Sequence, residues 1–329
     1  MAQAPDNAGG CPLCGGARRR RLVTKRGWDV VRCTDCRLVY VWPPPTREEL
    51  EAFYASGGYH AEVDEAERRL TFAARLRQIE ELAPRRGSVL DVGCSKGTFL
   101  EVARDEGWEV AGVELNPHTA AEARARGLDV YCGDLSDFDT SGRFFDVVTL
   151  FDLIEHTTDP QATLHACRRL LRPSGLLVIT TPNVDGLVPR VTYWLFAATL
   201  GAWDHPTPPG HVVQFSRRTL QQMLEQTDFR IVRWRAEHIP MAYSVGKLEN
   251  SVMDVLAGRH RAKPAPKSKP ARDLGGGGGP AESRRPSLLR RGARLSVRAL
   301  AWLVVGGVGL VARATGLGDS MFAAARRPS

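Results

Sequence analysis

Residues 88–100 read SVLDVGCSKGTFL. Val89 to Val92 have strand character and run into a loop whose small residues are Gly93, Ser95 and Gly97; the chain leaves through the helix-forming Thr98-Phe99-Leu100. Glycines at such a place permit a tight turn and let backbone amides approach a ligand. A phosphate-cradling Walker loop is excluded, because no Gly-Lys-Ser/Thr follows at the required spacing. The dinucleotide pattern also fits poorly, since its three glycine positions hold Gly93, Ser95 and Thr98.

Downstream of this loop the pattern alternates. Strands are expected at Val89–Val92, Glu109–Glu114, Asp129–Tyr131, Phe145–Phe151 and Leu176–Thr180, and helices at Thr98–Glu106, Thr119–Arg126 and Asp159–Leu171. Such alternation implies a parallel sheet covered on both faces by crossover helices. After it come an aromatic-rich helical stretch, Gly186–Trp203, and the Pro-studded loop WDHPTPPGHVVQF (203–215). Then follow a helix at Ser216–Thr227 capped by Ser216 and a strand at Arg230–His238. A last strand is expected within GDSMFAAARR (318–327).

The loop belongs to an ordered series. Glu114 ends the second strand about twenty residues on, where an acid can accept from two ribose hydroxyls. Next come YCGDLSDF (131–138), FDVVTLFDLIEHTTDP (145–160), LLRPSGLLVITTPN (170–183) and GHVVQFSRRTLQQMLEQTDF (210–229). Taken in order, these segments resemble the class I S-adenosylmethionine-dependent methyltransferases, of the type that includes the ubiquinone-pathway O-methyltransferases. The resemblance covers roughly residues 85–240 and the last dozen. It implies an α/β fold with a doubly wound, mostly parallel seven-stranded sheet, and S-adenosylmethionine as cofactor. By the same resemblance Asp91, Gly93, Cys94, Ser95 and Gly97 form the cofactor loop, with Glu114 and Leu115 at the ribose. Asp134 and Leu135 lie at the adenine and Asp152 at the amino-acid end. Ser95 stands where a glycine is commoner and is small enough to keep the turn. Cys94 reads as a packed small residue rather than a nucleophile.

Transfer to a hydroxyl needs a group to take its proton, and histidine suits neutral pH. His156 follows the fourth strand at the sheet edge where α/β ligands bind. His211 lies in the later loop expected over the same crevice, with His205 close by. Each has a structural alternative, His156 as a cap of the next helix or a holder of Asp152 and His211 as a residue that orders its loop; His211 is the favoured base.

Cys11-x2-Cys14, eighteen residues and Cys33-x2-Cys36 have zinc-ribbon spacing, two thiolates from each knuckle for one structural ion. Loss of that zinc is expected to loosen only the first forty or so residues. The chain then divides into a disordered 1–10, the ribbon at 11–45 and a helical lead-in at 46–84. The core follows at 85–256, a flexible basic insertion at 257–290, and an apolar helix with the final strand at 291–329.

The net charge of +8 sits in that insertion. Ala257 to Ser296 holds eleven Lys/Arg against Asp273 and Glu282, a balance of +9 that leaves about −1 elsewhere. A general nucleic-acid surface is therefore not expected. The first ten residues carry no apolar stretch, so a cytoplasmic location is expected. The uncharged run between Arg298 and Arg313 is shorter than the ~20 residues a bilayer requires. It reads as a helix docked on the sheet or, through residues 290–313, as a peripheral membrane contact at the inner face.

The leading reading is thus a methyltransferase, O-directed, acting on a small molecule, a sugar or a cell-envelope glycan precursor. Two other classes stay open: a zinc-ribbon RNA-binding protein with a methyltransferase-like fold, and a cofactor-binding scaffold without turnover.

Overall fold

The computed structural model describes residues 10–25, 27–55, 64–83, 85–139, 142–194, 207–237, 245, 302, 306–312 and 315–328. Expectations for residues 1–9, for His205 and for the 257–290 insertion fall outside them, as does most of the aromatic stretch and of the apolar helix, of which 306–312 is helical.

Two sheets organise the chain. The larger is built on β4 (Ser88–Val92), β5 (Glu109–Glu114), β6 (Val130–Cys132), β7 (Phe145–Phe151) and β8 (Leu171–Pro182), completed by β10 (Arg230–Glu237) and β11 (Ser320–Arg326). Their order is β10-β11-β8-β7-β4-β5-β6; β4 to β8 run parallel, while β10 and β11 pair antiparallel. This is the doubly wound, mostly parallel seven-stranded sheet implied above. The chain reverses its winding at β4, so the crevice beyond the carboxyl ends of β4 and β7 is the ligand edge.

Both faces of the sheet are buried, and the strands therefore read as near-continuous apolar runs. Leu90, Val148 and Leu150 face one layer with Leu164 and Cys167 of α5 (Pro160–Leu170) and Leu220, Met223 and Leu224 of α7 (Arg217–Gln226). Val89, Val147 and Val178 face the other, with Leu76 and Ile79 of α2 (Glu65–Glu80), Phe99 and Leu100 of α3 (Thr98–Asp105), and Ala120 and Ala123 of α4 (Pro117–Ala125). Polar caps begin several of these helices. Asn116 accepts from the amides of His118 and Thr119, Asp159 from Ala162, and Ser216 forms a capping box with Thr219. α1 (Arg47–Ala55) and α6 (Leu187–Thr192) lie outside this layering.

Boundaries move where tertiary pairing overrides local pattern. β8 runs from Leu171 to Pro182 rather than Leu176 to Thr180, because Leu171 pairs with Phe145 ahead of an irregularity in the β7 ladder. Asn116 starts α4 at Pro117, two residues early, since proline suits the first helical position.

The smaller sheet has the order β1-β2-β3-β9. Its first three strands, β1 (Arg19–Lys25), β2 (Trp28–Cys33) and β3 (Val39–Trp42), belong to the cysteine module. The fourth, β9 (Val213–Gln214), comes from the loop after the core. Tyr40 pairs with Val213 and Val39 with Gln214, and the Val41 amide donates to Val212 at 2.8 Å. Leu38 and Tyr40 share one apolar layer with Val213, Phe215 and the α5 and α7 side chains. The module is therefore no detached bead. Through this shared strand, loosening of the module on zinc loss has a route to Val213 and Gln214, beyond the first forty or so residues.

Candidate functional site

The glycine loop turns as its composition predicts. Gly93, Ser95 and Gly97 all have left-handed φ, at 77°, 50° and 82°. A Cβ on Gly93 would stand 2.9 Å from Leu153, and one on Gly97 would collide with Leu128, so both positions require glycine. Gly97 then serves as N-cap of α3. Glu114 faces the loop from the end of β5: one carboxylate oxygen accepts the Ser95 amide and the other the Asn116 amide, each at 2.8 Å.

Asp91 is buried and takes a 2.6 Å hydrogen bond from the Thr149 hydroxyl. Burial pushes its carboxyl up to about 7, with Glu114 adding to the rise and Thr149 opposing it. Asp91 is thus a pillar beneath the loop rather than a solvent-facing ligand. Cys94 packs beneath it too, in the space a Cβ on Gly112 would need, and burial raises its thiol well above the ordinary range. Asp134 caps the short turn Leu135–Asp137 by accepting the Ser136 amide. Leu115 keeps 44% of its surface exposed beside these polar groups, while Leu135 is half-buried.

Asp152 follows β7 with φ 49°, its amide bonded to the carbonyl of Thr180 and its carboxylate accepting the Thr180 hydroxyl. It is solvent-accessible yet crowded by protein, as on a concave wall. That crowding raises its carboxyl, with Arg75 opposing; Arg75 pairs with Glu237.

The histidines meet. His156 ends the turn Ile154–His156, and its Nδ1 lies 2.8 Å from the carbonyl oxygen of Gly210. The two imidazoles stand edge to face, with centroids 4.7 Å apart at 88°. Because a carbonyl only accepts, Nδ1 carries the proton and Nε2 is left bare, 4.0 Å from Glu155. Burial pushes His156 down to about 4. His211 is less enclosed. The Glu155 main-chain carbonyl also holds Val212, and its buried carboxyl accepts the Thr181 hydroxyl; burial and then Asp152 raise it far above the carboxylate range.

Sequence reasoning passed over Glu155, Thr149 and Gly210. Glu155 lies within the segment 145–160 beside His156, and no spacing there singles it out from Asp152. Gly210 acts through its backbone, which no side-chain pattern announces.

At the module, Cys11 and Cys36 sulfurs lie 3.4 Å apart and Cys14 and Cys33 sulfurs 3.6 Å, with all four within 4.8 Å of one another. A tetrahedral zinc with sulfur at about 2.3 Å sets sulfurs roughly 3.8 Å apart, so the four thiols fit one ion. The Cys36 thiol lowers Cys11 to about 5 and is itself raised by it.

Known proteins carry the same pattern. Over 145 residues the chain is 30% identical to a Mycolicibacterium smegmatis protein named "Probable S-adenosylmethionine-dependent methyltransferase", covering 44% of this chain and 52% of that one. It is 32% identical over 116 residues to the ubiquinone biosynthesis O-methyltransferase of Coxiella burnetii, covering 33% and 50%. The chain thus spans about half the length of these relatives. A solved S-adenosylmethionine-dependent methyltransferase from Archaeoglobus fulgidus aligns over 78% of this chain and 94% of its own, at 19% identity and a TM-score of 0.46. Residues 64–233 match the family described as "Methyltransferase domain", and since that is over half the chain, the protein belongs to this family.

Proposed function

We propose that the protein is an S-adenosylmethionine-dependent methyltransferase acting on a hydroxyl of a small-molecule or glycan-precursor acceptor. One observation carries the reading: a glycine loop braced by Glu114 and an edge-to-face histidine pair lie at the same sheet edge, joined where Gly93 meets Leu153. Bound there, S-adenosylmethionine supplies an electrophilic methyl group. Glu114 is placed to take its ribose hydroxyls, Leu115 to cover its base, Asp134 and Leu135 to edge that base, and Asp152 to hold its ammonium end. Ser95 and Gly97 offer backbone rather than side chain.

His211 is the base in this reading, and its ring takes the acceptor's hydroxyl proton. His156 is the poorer base: its Nε2 is unprotonated, but burial disfavours the imidazolium that taking a proton would create. Its work is to hold the loop that carries His211. The relative named as a ubiquinone biosynthesis O-methyltransferase supports oxygen as the target.

The four cysteines, we further propose, hold a structural zinc; four protein ligands leave it no open position. No helix among the described residues is long and apolar enough to cross a membrane. Peripheral contact through residues 290–313 is supported by the exposure of Leu310 and Val311.

Calorimetric titration with S-adenosylmethionine tests the cofactor. Wild type binds, and Gly93→Val, which drives a branched side chain into Leu153, does not. Equal affinity in both overturns the assignment. Methyl-donor turnover against sugars, phenols, lipids and RNA then identifies the acceptor.

A further inference from the structure

A row of side chains crosses the smaller sheet without a part in the chemistry above. Directly opposed residues of paired strands share a face. Arg20 of β1 stands opposite Arg32 of β2, Arg32 opposite Val39 of β3, and Val39 opposite Gln214 of β9. The four lie in one line on one face, the face on which Val30 and Val39 pack with Val184 and Tyr193. Two guanidinium groups in directly opposed positions repel one another, and such a placement is destabilising unless something negative lies over it.

Within the chain the Asp185 carboxylate opposes this repulsion at Arg32, without a hydrogen bond or ion pair to either guanidinium. Neither Arg20 nor Arg32 has a side-chain hydrogen bond or ion pair among the described residues. Burial lowers the Arg32 guanidinium, and Arg37 from the β2–β3 turn and Arg20 lower it further; Asp185 and Tyr193 oppose them. At the inner end Gln214 is only 4% exposed, and its Nε2 donor has no partner among the described residues. A buried amide donor left without an acceptor is destabilising, so an acceptor is wanted there. Exposure falls along the row from Arg20 through half-buried Arg32 to Val39 and Gln214, so its donors stand on either side of a buried apolar residue.

We propose that Arg20, Arg32 and Gln214, with Arg37 beside them, form an oxyanion subsite that takes a phosphate or diphosphate group of the methyl acceptor. Guanidinium forks match phosphate oxygens two at a time, and the amide donor adds a third direction. The link to the reaction rests on the methyltransferase reading. Gln214 lies three residues beyond His211 on one segment, and Asp185 and Tyr193 follow the end of β8 at the ligand edge. An acceptor anchored by phosphate on the ribbon sheet presents its hydroxyl toward the histidines.

The test titrates the full-length chain with inorganic pyrophosphate, with S-adenosylmethionine affinity and metal content measured in parallel. Wild type binds pyrophosphate. Arg32→Gln and Arg20→Gln each weaken it about ten-fold or more, Arg32→Lys falls between, and Arg85→Gln, on a distant surface, changes nothing. Cofactor affinity and metal content stay within two-fold. Arg20 is on the exposed edge strand, so its variant carries the test if Arg32→Gln fails to fold. Nucleoside diphosphates competing with pyrophosphate better than prenyl diphosphate mark a nucleotide-linked acceptor; the reverse order marks a lipid-linked one. Absence of pyrophosphate binding at millimolar concentration, or equal binding by the double variant, overturns the subsite. So does RNA binding lost in these variants without competition by pyrophosphate, which would assign the row to nucleic acid. Failure to bind S-adenosylmethionine, with the pyrophosphate results intact, instead removes the methyltransferase reading and leaves an anion site.

Discussion

The Nδ1–H of His156 donates to the carbonyl of Gly210, the residue directly before His211. One imidazole thereby fixes the backbone that carries the other, and their edge-to-face contact completes the lock. His211→Ala should lower kcat by about 10²–10⁴ if it takes the acceptor proton, with S-adenosylmethionine affinity within a few-fold. His156→Ala should also displace the 207–212 backbone. Hydrogen exchange at Val212 separates the two variants: faster in His156→Ala, unchanged in His211→Ala.

The same burial has a pH consequence with a definite sign. His156 sits at about 4 in the folded protein, against about 6.5 for a free imidazole. As pH falls, the unfolded chain takes up this proton first, so the stability that neutral His156 contributes above about 6.5 is lost as pH drops toward 4. His156→Gln, which keeps a donor for Gly210 and cannot titrate, should gain stability relative to wild type across that window. Denaturant midpoints at pH 7.5, 6 and 5 check it, and parallel curves would remove the assignment.

Thr149 and Asp91 are both buried, and the hydroxyl is the hydrogen-bond donor to Asp91. Thr149→Val keeps the volume and removes the donor, so it should cost about 1–3 kcal/mol. A stability measurement near neutral pH reads it directly, and Asp91→Asn in the same background should recover part of the loss.

Gly97 and Gly107 share nearly the same φ, 82° and 87°, but not the same surroundings. A Cβ on Gly97 meets Leu128, whereas one on Gly107 meets only the Arg86 side chain at 3.6 Å. Gly107→Ala should therefore cost only about 1 kcal/mol of backbone strain. Gly97→Ala should cost more and weaken cofactor binding as well.

Metal analysis should find about one zinc per chain. Stripping it should speed hydrogen exchange in residues 28–42 and also at Val213 and Gln214, which lie far along the chain but in the same sheet. Exchange confined to the first forty residues would mean that the pairing with β9 contributes little.

The core was legible because physics writes it locally. Strands buried on both faces leave apolar runs, Gly93 and Gly97 mark the left-handed turn of the loop, and the cysteine spacing needs no fold to be read. Ser216, Asp159 and Asp134 likewise announce their caps and turns. What stayed hidden is pairing at a distance. β9 has two residues, too few for any alternation, and is a strand only because β3 lies beside it. Arg19, Arg20 and Arg21 form a run of one charge with no alternation to mark a strand, yet they begin an edge strand whose alternate residues face opposite ways. Glu155 looked like half of a familiar pair; its burial and its carbonyl bond to Val212 appear only once the loop folds back.

The late arrival of β9 orders the protein's birth. Tyr40 leaves the ribosome more than 170 residues before its partner Val213 is made. Until then the cysteine knuckles stand with an unpaired strand edge, an invitation to mispairing that a long polypeptide must survive. Closing that sheet requires the intervening domain to have formed and turned its loop back, so the pairing closes a long loop and comes late. A module translated ahead of the core is thus finished only after it, and its completion coincides with the histidine loop reaching its place.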